Sequence, residues 1–206
     1  LTFILVTINL AIFVFSYDIN SNRVSSWLIE NFGLDTNLLA QKPYTLLTHT
    51  FIHADPIHFI SNMLMLTILG IAIEEKIGRL KFLSIYIISS QFAILFAFLL
   101  QHLIENFGIL VGSSGAIYGL MFLAALIAGW EEIPIILVPL LNLIGLPAVF
   151  LTAKNIKIPL FLAIFFYLLL NFILFILNFP HSITEFAHFG GFFGGIIGFF
   201  LILPEA

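Results

Sequence analysis

Long runs of apolar residues without a single charge are the feature that most constrains this chain. The run at 158–177 contains no Asp, Glu, Lys or Arg, and a helix of about 20 apolar residues is long enough to cross a bilayer. Across the 206 residues, 61% are hydrophobic and 9% are charged, whereas soluble domains carry about 25% charged residues. So few charges cannot cover the surface of a soluble protein, and the composition therefore predicts a polytopic membrane protein.

The charge balance and the residue types exclude several other classes of protein. Seven Lys and Arg against 11 Asp and Glu give a net charge of −4, so we expect no nucleic-acid partner. An aromatic content of 16% excludes a disordered chain. The absence of cysteine excludes disulfides, thiolate metal sites and a cysteine nucleophile. We expect no cleavable signal segment in this sequence.

The positions of the charges divide the chain into predicted spans. Residues 18–43 are mixed and polar, and the stretch 24–32 within them predicts a short helix lying on the membrane. Asp55 is well placed to cap a helix that has Pro56 at its first position. We expect a single all-α domain over residues 1–206, with a membrane-associated loop between its first two spans. The predicted spans are 1–17, 56–73, 82–104, 114–130, 158–177 and 183–203.

The positive-inside rule predicts the orientation of these spans. Lys76, Arg79 and Lys81 place the end of the second span in the cytoplasm, and Lys154 and Lys157 place the start of the fifth span there. Both termini are then cytoplasmic. This topology requires that 133–151, which contains three prolines, is re-entrant or interfacial and does not cross the bilayer.

A serine among glycines stands at the start of the fourth predicted span, in the sequence Gly-Ser-Ser-Gly-Ala-Ile-Tyr-Gly at 112–119. The first N–H groups of a helix lack intrahelical partners, so they can hold a developing oxyanion beside such a serine. Helix capping with small-residue packing is the commoner interpretation of such a segment taken alone. Tyr118 lies four residues after Ser114 on the same helical face, where an aromatic ring can pack against whatever meets the serine. Taken alone, an ordinary packing residue is the commoner interpretation of Tyr118.

A histidine stands near the start of the last predicted span, in Ala-His-Phe-Gly-Gly at 187–191. Ionisable groups within spans are costly and usually functional, although a histidine bonded to a carbonyl near the interface is an open alternative. Gly191 and Gly195 follow close to the face of His188, so this helix can press against another. Glu185, one turn earlier, either orients His188 or is an interfacial carboxylate at the helix start.

Histidines and an asparagine surround the start of the second predicted span. His58 and Asn62 are four residues apart on one helical face, and both can donate hydrogen bonds within a site. His49, His53 and His58 with Asp55 are an alternative set of zinc ligands. The H-E-x-x-H signature is absent, however, and structural loop histidines are the commoner outcome, so we predict no metal and no other cofactor.

With the predicted orientation, the serine, the histidine and the two donors lie at one depth on one side of the membrane. A serine with a histidine base and oxyanion donors is the minimum for acyl transfer by serine. In these residues the chain resembles the rhomboid family of intramembrane serine proteases. The family's G-x-S-G-x-x-x-G is matched by Gly112, Ser114, Gly115 and Gly119, its A-H-x-x-G by Ala187, His188 and Gly191, and its F-x-H-x-D/G-x-x-H-x-x-x-N by Phe51, His53, Asp55, His58 and Asn62.

The resemblance covers residues 44–200 and implies a six-helix rhomboid-like bundle that cleaves transmembrane substrates. It implies Ser114 as the nucleophile and His188 as the general base, without an acidic third member. His58, Asn62 and the Ser114 backbone N–H are implied as the oxyanion site, with Gly112 and Gly115 in support and Tyr118 stacked on His188. The expected location is an integral membrane, the plasma or inner membrane in a prokaryote, with the site near the outer face.

One departure from the family and two other functional classes stay open. Tyr44 and Thr45 stand where many family members carry Trp-Arg, which concerns the packing of the membrane-associated loop. A catalytically silent relative that binds membrane clients is one alternative, and intact Ser114 and His188 argue against it. The second is a transporter or metal-dependent enzyme using the histidine cluster. The aspartyl intramembrane proteases are excluded because the chain has no G-x-G-D.

Overall fold

The structure, a computed structural model, describes residues 1–105, 107–134, 157–179 and 183–202. These residues form eight α-helices, two short 3-10 helices (Thr36–Leu38 and His49–Phe51) and two two-stranded antiparallel sheets. The strands are β1 (Tyr17–Asp18), paired with β2 (Arg23–Val24), and β3 (Glu132–Pro134), paired with β4 (Lys157–Pro159). The helices are α1 (Thr2–Ser16), α2 (Ser26–Phe32), α3 (Thr45–Thr48), α4 (Pro56–Ile77), α5 (Arg79–Ile104), α6 (Ser114–Ala128), α7 (Leu160–Asn178) and α8 (Ile183–Ile202).

Four of the described helices, α4, α5, α7 and α8, are long and apolar enough to cross a membrane. Helices α1 and α6 are apolar but have only 15 residues each, which corresponds to about 22 Å of helix against a hydrocarbon core of about 30 Å. The helical membrane fold is therefore as predicted, and four of the six predicted spans meet the length of a full crossing.

The start of α4 follows the predicted signals. The Asp55 carboxylate accepts a hydrogen bond from the His58 backbone N–H at 2.9 Å, and Pro56 occupies the first turn, where its missing N–H leaves no donor unpaired. The helix continues beyond the apolar stretch and ends at Gly78, whose φ of 83° favours glycine. The charged residues Glu74, Glu75 and Lys76 therefore belong to α4, which is longer than the predicted span of 56–73.

Helix α8 packs closely on α6 because glycines face each other across the contact. A Cβ atom on Gly191 would collide with the backbone of Gly115, and one on Gly195 would collide with the backbone of Gly119. On its other side α8 meets α5, where a Cβ on Gly194 would lie 2.7 Å from the Ser89 Cα. These small residues let the backbones approach, so the start of α8 lies beside the start of α6.

Contacts at the other end of the bundle join the end of α6 to the end of α4 and to the start of α7. The ammonium of Lys76, at the end of α4, pairs with the Glu131 carboxylate just beyond α6. Strand β3, after α6, pairs with β4, which leads directly into α7. The end of α6 and the start of α7 therefore lie together. In the predicted re-entrant stretch, only Ile133 and Pro134 belong to the described residues; its remainder and Lys154 lie outside them.

The segment between α1 and α4 is anchored to the loop that leads into α6. Leu34 and Leu110 exchange two backbone hydrogen bonds, of 2.9 and 2.8 Å. The buried Gln101 of α5 accepts a bond from the Thr36 hydroxyl at 2.8 Å and donates one to the Gly108 carbonyl at 2.9 Å. These bonds hold residues 108–112 in place directly before Ser114.

The residues that replace the family's Trp-Arg pair also stabilise this segment. The Tyr44 hydroxyl donates to the Asn31 carbonyl at 3.0 Å, which joins the end of α2 to the start of α3. The buried Thr45 donates through its hydroxyl to the Lys42 carbonyl at 2.7 Å. A short helix predicted over 24–32 is present as α2 from Ser26 to Phe32, whereas Val24 lies in β2.

The glycine contact gives a direct prediction for stability. A Gly191→Ala substitution should lower the free energy of unfolding in detergent by about 1–3 kcal/mol, because the new methyl group meets rigid backbone and the two helices must separate. Gly108→Ala is the matched control, since a Cβ at Gly108 has no atom within 4 Å; it should change stability by less than about 0.5 kcal/mol. Equal stabilities of the two variants would show that the glycine contact does not constrain the helices.

Candidate active site

Ser114 and His188 are brought into hydrogen-bond contact by the packing of α6 on α8. The Ser114 Oγ lies 3.0 Å from the His188 Nε2. Ser114 is the first residue of α6, and the first intrahelical bond there runs from the Ile117 N–H to the Ser113 carbonyl. The serine hydroxyl therefore lies beside N–H groups that have no intrahelical partner, and a ring nitrogen faces it.

Tyr118 stacks on His188, as the resemblance implies. The two rings are nearly parallel, with an interplanar angle of 9° and centroids 4.2 Å apart. Tyr118 is buried, with 3% of its surface exposed. This contact restrains the imidazole on one face, so that its edge stays directed at Ser114.

Asn171 of α7 is a site residue that the sequence reasoning did not identify. Its amide oxygen lies 2.8 Å from the His188 Nδ1 and accepts a hydrogen bond from the Tyr118 hydroxyl at 3.1 Å. Its amide nitrogen donates to the Glu185 backbone carbonyl at 3.0 Å. An amide in the middle of an otherwise apolar helix was the available signal, because polar groups at membrane depth are costly and usually functional.

Among the contacts of the described residues, Glu185 takes part in this arrangement through its backbone alone. Its carbonyl oxygen accepts the bond from Asn171, and its carboxylate lies in the first turn of α8. Of the two interpretations of Glu185, the structure favours a carboxylate at the helix start, where the helix dipole favours negative charge.

His58 and Asn62 line the same side of the site. Both contribute, with Ser114 and His188, to a cleft of about 150 Å³. One N–H of the Asn62 amide donates to the His58 carbonyl at 2.8 Å. A side-chain amide carries two N–H donors, and among the described residues the second has no acceptor. The oxyanion role of these two residues stays a prediction.

Gly112 makes room for His58. Its φ of 107° lies in the region that favours glycine, and a Cβ there would lie 2.6 Å from the His58 Nε2. Its N–H donates to the His49 carbonyl at 2.9 Å. An alanine at this position would be strained and would displace the imidazole. Gly115, by contrast, packs against Gly191 and lines a second cavity, of about 350 Å³.

Ser113 belongs to a separate buried network. Its hydroxyl donates to the Asn62 amide oxygen at 3.3 Å and lies 3.5 Å from the His53 Nε2. It has no exposed surface, whereas Ser114 lines both cavities beside His188. The geometry thus separates a structural serine from one that faces the open site.

The histidines considered as metal ligands have other contacts. His49 donates to the Thr45 carbonyl through Nδ1 at 2.8 Å, and His53 packs edge-on against His58 with ring centroids 5.0 Å apart. The Asp55 carboxylate caps α4. Within the described ranges, no group of three His, Asp or Glu side chains is arranged to hold a metal ion.

A larger cavity, of about 350 Å³, opens beside the serine and the histidine. Four small residues form part of its wall: Ala93, Gly112, Gly115 and Ala187. Both Ser114 and His188 also line it. Ser114 and His188 are therefore both open to the same cavity.

Comparison with known proteins identifies the architecture that carries this geometry. The family described as the Rhomboid domain matches residues 40–205, which include Ser114, Asn171 and His188. This chain belongs to the rhomboid family. The match begins after α2 and contains the end of the segment between α1 and α4 together with α3–α8.

Several plant rhomboid-like proteins are similar to the chain. It is 32% identical over 188 residues to RHOMBOID-like protein 1 of Arabidopsis thaliana, covering 88% of this chain and 41% of that protein. It is 31% identical over 186 residues to RHOMBOID-like protein 6, mitochondrial, from the same organism, covering 87% of this chain and 51% of that protein. The chain spans about half, or less, of the length of these curated rhomboid relatives.

Proposed function

We propose that this rhomboid-family chain is an intramembrane serine endopeptidase that cleaves peptide bonds in or near transmembrane helices. The single observation that carries the proposal is the 3.0 Å contact between the Ser114 hydroxyl and the His188 Nε2 at the starts of α6 and α8. Membership of the rhomboid family supports it, because the family is one of membrane-embedded serine proteases that also includes inactive relatives. An intact serine and histidine in contact favour the active class.

In the proposed reaction, Ser114 Oγ attacks the scissile carbonyl carbon while its proton passes to His188 Nε2. The carbonyl oxygen becomes an oxyanion, which the Ser114 backbone N–H, the free N–H of Asn62 and the His58 ring stabilise. Donors that are held in place before the reaction act most strongly where the charge develops. The imidazolium then protonates the leaving amine, and water releases the acyl group by the reverse sequence.

The proposed substrates are membrane proteins with a helix that unwinds near the site. A helix hides its carbonyl groups in its own hydrogen bonds, so the segment that reaches Ser114 must be extended. The resemblance to the rhomboid family suggests a small side chain before the cleaved bond. No cofactor is required, because the proton acceptor and the oxyanion donors are supplied by the chain itself.

The proposed topology has six spans in one domain, with both termini in the cytoplasm and the active site near the outer face. Lys76 and Lys157 lie at the end of the bundle where α4 ends and α7 begins, and positive charge favours the cytoplasmic side. Ser114 and His188 lie near the starts of α6 and α8, at the opposite end of the bundle from these lysines. In a prokaryote this membrane is the plasma or inner membrane.

The first test concerns the nucleophile. Ser114→Ala should abolish both cleavage of a model transmembrane substrate and covalent labelling by a fluorophosphonate, because the attacking oxygen is lost. Ser113→Ala is the matched control and should keep substantial activity, since the Ser113 hydroxyl faces Asn62 and His53. Labelling that survives in Ser114→Ala and disappears in Ser113→Ala would show that Ser113 is the nucleophile and that the proposed assignment is wrong.

A second test concerns the oxyanion site. Asn62→Ala should lower kcat by roughly a hundredfold, about 3 kcal/mol, with a smaller effect on KM, because its N–H acts mainly when charge develops. Thr67→Ala in the same helix is the control, because the Thr67 hydroxyl donates to the Met63 carbonyl of its own helix at 2.7 Å. His58→Ala should also slow the reaction, with a combined loss that is less than additive. Wild-type rates in both site variants would place the oxyanion elsewhere.

A third test concerns the orientation in the membrane. The chain has no cysteine, so single cysteines can be introduced without background. Cysteines replacing Lys76 and Lys157 should react with an impermeant maleimide only from the cytoplasmic side, and one replacing Phe107 only from the outer side. Labelling of the first two positions from opposite sides would contradict the pairing of β3 with β4.

A further inference from the structure

Asn171 forms hydrogen bonds that the two-residue mechanism does not use. Its side chain is buried, with 4% of its surface exposed, in a helix whose other residues are apolar except Tyr167 and the terminal Asn178. It contacts the ring of His188, the hydroxyl of Tyr118 and the backbone of Glu185. Both the oxygen and the nitrogen of this buried amide have hydrogen-bond partners, and these partners fix the orientation of the side chain.

The partners determine which end of the amide faces His188. The Glu185 backbone carbonyl can only accept a hydrogen bond, so the atom 3.0 Å from it must be the amide nitrogen. The amide oxygen of Asn171 therefore faces Tyr118 and His188, at 3.1 and 2.8 Å. Because an amide oxygen only accepts, the His188 Nδ1 must carry a hydrogen and donate it.

The same argument determines the state of the other ring nitrogen. A neutral imidazole carries one N–H, and here Nδ1 holds it. Nε2 therefore presents a lone pair to the Ser114 hydroxyl at 3.0 Å, which is the form that a general base needs. The opposite tautomer would place an N–H against the serine and set the lone pair of Nδ1 against the Asn171 oxygen, so that two acceptors would face each other at 2.8 Å.

We propose that Asn171 is a positioning residue that holds His188 in the orientation and tautomer in which Nε2 takes the Ser114 proton. This inference rests on the proposed function. When the serine Oγ bonds to the scissile carbon, its proton moves to Nε2, and the other ring hydrogen stays on Nδ1, donated to the Asn171 oxygen. The amide orients the ring and accepts from the imidazolium without adding a second buried charge, which a carboxylate would bring at a cost in desolvation.

Two substitutions separate positioning from a merely structural link. Asn171→Asp keeps an oxygen for the His188 Nδ1 hydrogen and loses the N–H that reaches Glu185, whereas Asn171→Leu loses both. We expect the Leu variant to lose about 10- to 100-fold in kcat and in the rate of fluorophosphonate labelling, with KM changed less than about threefold, since the base remains but its tautomer is unspecified. The Asp variant should stay within about fivefold of the wild type, because an acceptor still orients the ring.

Asn9→Leu is the matched control. Asn9 is also a fully buried asparagine in an apolar helix, and its amide nitrogen donates to the Leu5 carbonyl of its own helix at 2.8 Å, away from the site. It should leave kcat and the labelling rate at wild-type values. Equal losses in the Asp and Leu variants would assign Asn171 to its bond with Glu185 and overturn the positioning role, and so would an unchanged Leu variant.

A measurement on the resting protein tests the inference without any turnover. The ¹⁵N spectrum of the His188 side chain, assigned by its disappearance in His188→Gln, should show the Nδ1–H tautomer in the wild type and a mixture of tautomers in Asn171→Leu. An Nε2–H tautomer in the wild type would overturn the inference even if the protein is an active protease. Conversely, a wild-type chain with the Nδ1–H tautomer that neither cleaves nor labels would overturn the proposed function alone.

Discussion

The close contact between α6 and α8 is the constraint on which the rest of the site depends. In a bilayer the lipid tails are as apolar as the side chains, so helices associate through packing and interhelical hydrogen bonds. Glycines at 115 and 119 of one helix meet glycines at 191 and 195 of the other. Because Ser114 and His188 each lie next to this contact, their separation follows from the approach of the two backbones. A side chain in the contact would move the base away from the nucleophile.

Hydrogen bonds among buried polar groups complete what the helix contact begins. A polar group without a partner in hydrocarbon costs several kcal/mol, so each such group favours the arrangement in which it is paired. On one side of Ser114, His188, Tyr118 and Asn171 join α6, α7 and α8. On the other side, Ser113 and Asn62 join α6 to α4. The serine thus lies between two networks that restrain its neighbours, and its own hydroxyl faces His188.

Several elements were predictable from local sequence because their causes are local. Asp55 and Pro56 mark the start of α4, and the serine that follows Gly112 and Ser113 marks the start of α6. The ends of the helices were less predictable: charged residues mark the edge of the hydrocarbon, whereas α4 continues through its charges to Gly78. Asn171 was missed because α7 carries no motif, and which face of α7 meets α8 depends on packing between segments that are apart in the chain.

The sequence by itself determined that this chain is a helical membrane protein of the rhomboid family, because apolar length, charge placement and motif spacing are properties of the chain alone. It also singled out Ser114, His188, His58 and Asn62 as candidates, since their residue types suit acyl transfer. Only the tertiary structure brought Ser114 to 3.0 Å from His188 and gave Glu185, among the contacts of the described residues, a role through its backbone carbonyl. It also added Asn171 as the hydrogen-bond acceptor for Nδ1. These outcomes depend on the rotation and approach of helices, which long-range packing sets and which no local pattern in the sequence encodes.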